Sequence, residues 1–183
     1  ITISANVAKA TMPDPKEVQR KELKKEREAM EARIQTKRDG VKQKMEDLKA
    51  KIKEEKDTAK AKIKEARIIG REKALERFDE AVLRMNNLKD RVNTQITKLE
   101  AKKIVVENAK SLITTAETKL SEAKIKILEA SDLLAVLTNE LSQESKTKLR
   151  TLSQDIQNLI KETHQVLNDA TKSLKDAVKT NLE

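Results

Sequence analysis

Eight cations, Lys42, Lys49, Lys53, Lys56, Lys60, Lys64, Arg67 and Arg71, recur mostly every three or four residues, a spacing that lines them along one face of a helix. Such a row can follow an anionic polymer, nucleic acid included, or an anionic membrane surface. Each cation near anionic lipid gains about 1 kcal/mol, and each phosphate contact releases counterions. Against this stands the interleaving of Glu46, Asp47, Glu54, Glu55, Asp57 and Glu65, which compensates much of the charge and reads equally as a solvated helix face.

Residues suited to catalysis or metal binding are scarce. His164 is the single histidine and there is no cysteine, so neither a shared imidazole metal site nor a thiol nucleophile can be assembled. The carboxylate pairs Glu54-Glu55 and Asp79-Glu80 are adjacent in sequence and point about 100° apart on a helix, which suits solvation rather than convergence on one substrate atom. No glycine-rich phosphate loop, nucleophile elbow, metalloprotease pair or calcium loop occurs. Phe78 is the only aromatic residue, so base-stacking platforms are missing as well. The sequence therefore assigns no catalytic, cofactor or metal residue, suggests no small-molecule substrate, and reads as a non-enzyme.

The elements that carry these residues are helical. Of 183 residues, 39% are charged, and only two are glycine and two proline, too few for the turns of a β-rich or α/β domain. Pro13-Asp14-Pro15-Lys16-Glu17 starts the first helix, with Asp14 as the cap, Pro15 in the first turn and Glu17 placed to reach back. No proline follows, and Gly40 and Gly70 are the weakest points up to about residue 102. The expected fold is all-α: a long charged N-terminal helix, straight or kinked near Gly40 or Gly70, continuing into an antiparallel three-helix bundle.

Residues 14–74 read as a charged arm with a thin heptad seam of Ile34, Val41, Met45, Leu48, Ile52, Ala59, Ala66 and Ile69, interrupted by Glu55 and Lys62. That seam predicts either weak self-association through residues 30–70 or a fold back of the arm at one of the glycines. Residues 75–183 read as the bundle, with helices at about 75–102, 108–138 and 143–181. The first carries Leu75, Phe78, Val82, Met85, Val92, Ile96 and Leu99, with Lys89 the polar intruder. The second alternates large and small residues from Ala109 to Leu137, and the third runs from Leu149 to Ala177 behind a Ser142 cap. A β-branched run, Ile104-Val105-Val106, marks the first turn without any glycine.

Residues 1–13 read as a tail. Ala8-Lys9-Ala10 has the form of a signal-peptidase site, so the tail is either a signal-peptide remnant or an ordinary terminus. Residues 1–105 hold 29 Lys and Arg against 19 Asp and Glu, which places the whole basic excess of the chain, net +9, in the arm and first bundle helix.

Within the bundle, the succession Arg77-Phe78, Arg91-Val92, Leu99-Glu100-Ala101, Ala109-Lys110 and Ala116-Glu117-Thr118-Lys119-Leu120, with Ile160-Lys161-Glu162-Thr163-His164-Gln165-Val166-Leu167 further on, resembles uncharacterised secreted, coiled-coil-like helical proteins of candidate-phyla (Patescibacteria) bacteria. The resemblance spans about residues 75–170 and transfers no catalytic residue. It implies a signal peptide, although the turn after Ala101 lacks the glycine those proteins often show. The expectation is a structural or interaction protein of the secreted space or cell envelope, the arm serving as spacer or weak coiled coil. The alternative is an electrostatic binder acting through the basic row, cytoplasmic if Ala8-Lys9-Ala10 is not a cleavage site. No run of apolar residues is long enough to span a membrane.

Overall fold

The computed structural model describes residues 15–54, 58–136 and 142–181. Asp14 and the tail, including Ala8-Lys9-Ala10, lie outside them. The chain is all-α, with α1 Pro15–Lys53, α2 Thr58–Ala101, α3 Glu107–Val136 and α4 Gln143–Thr180. It divides into two units, residues 1–33 and residues 34–183.

Three layers of apolar side chains fill residues 34–183. At one end Val92 and Ile96 of α2 meet Ala109, Ile113 and Ala116 of α3 and Leu167, Ala170 and Leu174 of α4. In the middle Val82 meets Leu120, Ala123 and Ile127, together with Ile156 and Leu159. At the other end Ile68 and Leu75 meet Ala130, Leu134 and Leu152, and here α1 joins through Val41, Met45 and Ile52. The layer order makes α2 antiparallel to α3 and parallel to α4, the arrangement expected of residues 75–183. Two hydroxyls lie fully inside and bond to the carbonyl one turn back: Ser131 Oγ to Ile127 at 2.8 Å and Thr163 Oγ1 to Leu159 at 2.7 Å.

The arm departs from expectation. Neither glycine interrupts a helix; Gly40 sits inside α1 and Gly70 inside α2. The chain breaks instead between Lys53 and Thr58, opened by the Glu54 N–H donating to the Lys51 carbonyl at 3.2 Å. The C-terminal part of α1 returns along α2, and Val41, Met45 and Ile52 are only 3%, 4% and 7% exposed. Val41, Met45, Ile52 and Ile68 thus belong to the core rather than to a separate arm, because apolar side chains left in water would forgo about 1.5–3 kcal/mol each. The break also shifts the seam: beyond it Ala61, Ile68 and Leu75 pack inward, while Ala59 and Ala66 are exposed. Of the side chains expected to drive self-association through residues 30–70, Val41, Met45 and Ile52 are buried within one chain.

The turn after α2 closes without glycine. The Lys103 N–H donates to Glu100 at 2.8 Å and the Ile104 N–H to Leu99 at 3.0 Å, a Schellman pair that needs a left-handed residue between them. Lys103 takes that role at φ 61°, at the steric cost any residue with a Cβ incurs there. Leu99 and Ile104, which flank it, both pack on the end layer. At the other turn, Ser142 Oγ accepts from the Ser145 N–H at 3.1 Å and caps α4 as its sequence predicts.

The burial of α1 is directly measurable. Met45→Ala should cost about 2–3 kcal/mol of unfolding free energy in urea; a loss below about 0.5 kcal/mol would return residues 34–53 to the status of an exposed helix.

Candidate functional site

The basic row does not lie on one helix. Lys42, Lys49 and Lys53 lie on α1, and Lys60, Lys64, Arg67 and Arg71 lie on α2, which runs the opposite way; Lys56 falls outside the described residues. Lys42, Lys53, Lys60 and Arg67 are exposed, whereas Lys64 and Arg71 are half-buried. Lys60, Lys64 and Arg67 each engage in a polar or electrostatic interaction. Burial lowers the pKa of Arg71, and the neighbouring Arg67 lowers it further, so positive charge is crowded at this point of α2.

Lys49 is spent on the fold. It donates to Glu72 on α2 at 2.8 Å and to Glu46 one turn back at 3.0 Å, which raises its pKa. Arg38, eleven residues earlier on α1, pairs with Asp79 and reaches the Leu75 carbonyl at 3.4 Å, while its Nε finds no partner. Asp79, read from sequence as a solvating charge, is therefore half of a helix-to-helix pair. Burial raises its pKa more than Arg38 lowers it, and Glu76 adds to the rise. On the α3 side, Lys37 donates to Asp132 at 2.6 Å.

The same pattern holds between α3 and α4. Lys119 donates to Glu162 at 2.5 Å and Lys126 to Asp155 at 2.8 Å, and the pKa of Lys126 rises through that bond. Lys89, the polar intruder of the apolar stripe, lies 3.9 Å from Glu117 of α3 and 3.3 Å from Asp90, its stem buried and its charge at the seam's edge.

The seam between α2 and α4 differs. A groove of about 410 Å³ opens there, floored by Phe78, Ala81 and Met85 of α2 and by Ile160 of α4. Gln157, Arg77, Lys161 and His164 complete its walls, and no carboxylate is among the residues that line it. His164 is exposed, its Nδ1 3.5 Å from the Asn168 amide. Sequence reasoning assigned Phe78 and Met85 to the core stripe; both are half-buried and shared between core and groove. The signal for the groove lay in α4, where all five carboxylates, Glu144, Asp155, Glu162, Asp169 and Asp176, fall on one flank at intervals of eleven and seven residues.

Among the described residues no group of three or more histidines and carboxylates could hold a metal, and no helix is long and apolar enough to cross a membrane. No family model, curated protein or solved structure matches the chain.

Because Asp79 titrates above the ordinary carboxylate range, its ionisation works against the folded state. Its contribution is most favourable below the free-carboxyl value of about 3.9 and declines as the pH rises through the folded value. Urea melts of wild type and Asp79→Asn between pH 3 and 7 should diverge in the variant's favour as the pH rises; a difference constant across that range would contradict the shift.

Proposed function

We propose that the chain is a non-enzymatic helical protein that acts by presenting helix surfaces to partners, in the secreted space or cell envelope. The observation that supports this reading best is where its polar chemistry is spent. The two hydroxyls at the centre of the core, Ser131 and Thr163, are bonded to their own helix, and the partly buried charges Arg38, Lys49 and Lys89 serve seams between helices. Other polar side chains lie on outer flanks, where they can meet another surface. The secreted placement draws on Ala8-Lys9-Ala10 and on the resemblance to secreted helical proteins. Fractionation of the native host with N-terminal sequencing tests it: protein in the envelope or medium beginning at Thr11 is expected, and a cytosolic form that retains residues 1–10 would overturn the placement.

A second reading, adsorption to anionic polymer or lipid, is favoured by the crowding of Arg67 against half-buried Arg71. Binding to DNA and to anionic vesicles should then weaken steeply with salt. Unchanged binding after Lys60→Glu and Lys64→Glu, or none at low salt, would remove this reading.

A further inference from the structure

We infer that the groove between α2 and α4 docks an acidic amphipathic helix of a partner protein. This deepens the proposed role in presenting surfaces and rests on it.

The floor is apolar where a solvated surface would be polar. Phe78, the sole aromatic of the chain, is only half-buried here and lines an open channel with Met85 of the same helix and Ile160 of α4. An aromatic with a thioether beside it is the combination that accommodates irregular apolar knobs, such as those a helix presents at i, i+3, i+4 and i+7.

The walls carry charge of one sign. Arg77 rises from α2 and Lys161 from α4. Most carboxylates near them are engaged elsewhere: on α2, Glu72 and Asp79 turn to Lys49 and Arg38 of α1, on α4, Asp155 and Glu162 turn to Lys126 and Lys119 of α3, and Glu80, one turn from Arg77, lies 3.7 Å from Arg84 outside the groove lining. The segregation extends along the whole of α4. Opposite its carboxylate flank, Lys146, Arg150, Lys161, Lys172, Lys175 and Lys179 recur on the flank that includes the groove wall, and all six are exposed. An occupant with acidic residues flanking its apolar face meets positive potential along its length, which accelerates docking and selects against basic helices.

The probe is a fluorescent synthetic helix of about 18 residues with leucines at i, i+3, i+4 and i+7 and glutamates elsewhere, compared with the same peptide carrying lysines for glutamates. Full-length protein should bind the glutamate peptide at least about tenfold more tightly at low salt. Arg77→Glu with Lys161→Glu, both exposed and so compatible with folding, should invert that preference, and Phe78→Ala should weaken binding with the helical circular dichroism retained. Equal affinity for both peptides, or a preference untouched by the double charge reversal, would overturn the inference. So would adsorption to phosphatidylglycerol vesicles without peptide binding, which assigns the groove to a membrane, or a wild-type dimer dissolved by the double reversal, which assigns it to a second copy. These failures are separable from failure of the broader reading, which only a measured catalytic turnover abolished by a single substitution would reverse.

Discussion

The packing of α3 on α4 is the constraint from which the rest follows. Alanines at 109, 116, 123 and 130 recur every seven residues on α3 and are buried, and α3 with α4 is the most extensively packed pair among the described residues. A small side chain at every second turn lets two backbones approach, and the large residues of α4, Ile156, Leu159 and Leu167, then fill the space above the alanines. With α3 and α4 joined so closely, α2 lies along the furrow between them. Val92, Val82 and Leu75 of α2 occupy it layer by layer. Val41, Met45 and Ile52 of α1 join the layer of Ala130 and Leu134.

Polar side chains share the work of this framework. Arg38, Lys49 and Lys89 sit at helix seams with long stems against apolar neighbours and charged ends on carboxylates of the facing helix. The balance differs between them: at Asp79 burial outweighs the attraction of Arg38 and raises the carboxyl pKa, whereas at Lys49 the bonds to Glu72 and Glu46 outweigh burial. The register between α1 and α2 is set instead by connection length. The inward residues of α2, Ala61, Ile68 and Leu75, are seven apart, so a slip of seven would bury nearly the same set. The four residues between Lys53 and Thr58 permit only a close antiparallel return.

Much of this was legible in the sequence, and the exceptions have physical causes. The ranges of α3 and α4 follow from continuous apolar stripes and, for α4, from the Ser142 cap, and the structure places them within two residues. The break at Lys53 was hidden because the chain turns there without glycine or proline; the one hint is Asp57 before Thr58, two residue types favoured where a helix begins. Reading through that break carried the heptad count out of phase, so Ala59 and Ala66 were assigned inward in place of Ala61 and Ile68. The same error drew the basic row along one helix. The α2–α3 turn was located by its β-branched run, but the left-handed Lys103 that makes it has no propensity signal.

Charge illustrates a different limit. Net charge and the Lys-to-Glu ratio locate the basic excess in the first half of the chain, yet the most ordered charge belongs to α4, where seven cations and five carboxylates nearly balance. On the second half of α1 the signs alternate over short distances, as at Glu46, Asp47 and Lys49, and their fields cancel within a Debye length. On α4 the carboxylates keep one flank and all cations but Lys148 keep the other. A helix needing only solubility gains nothing from that separation, since mixed signs would supply i,i+4 pairs on every face. Part of the pattern is explained from within, because Lys119 and Lys126 of α3 require acidic partners at 162 and 155. The cations of the opposite flank border the α2–α4 groove instead. A one-signed rim beside an unfilled apolar channel is a surface whose complement lies outside the bundle.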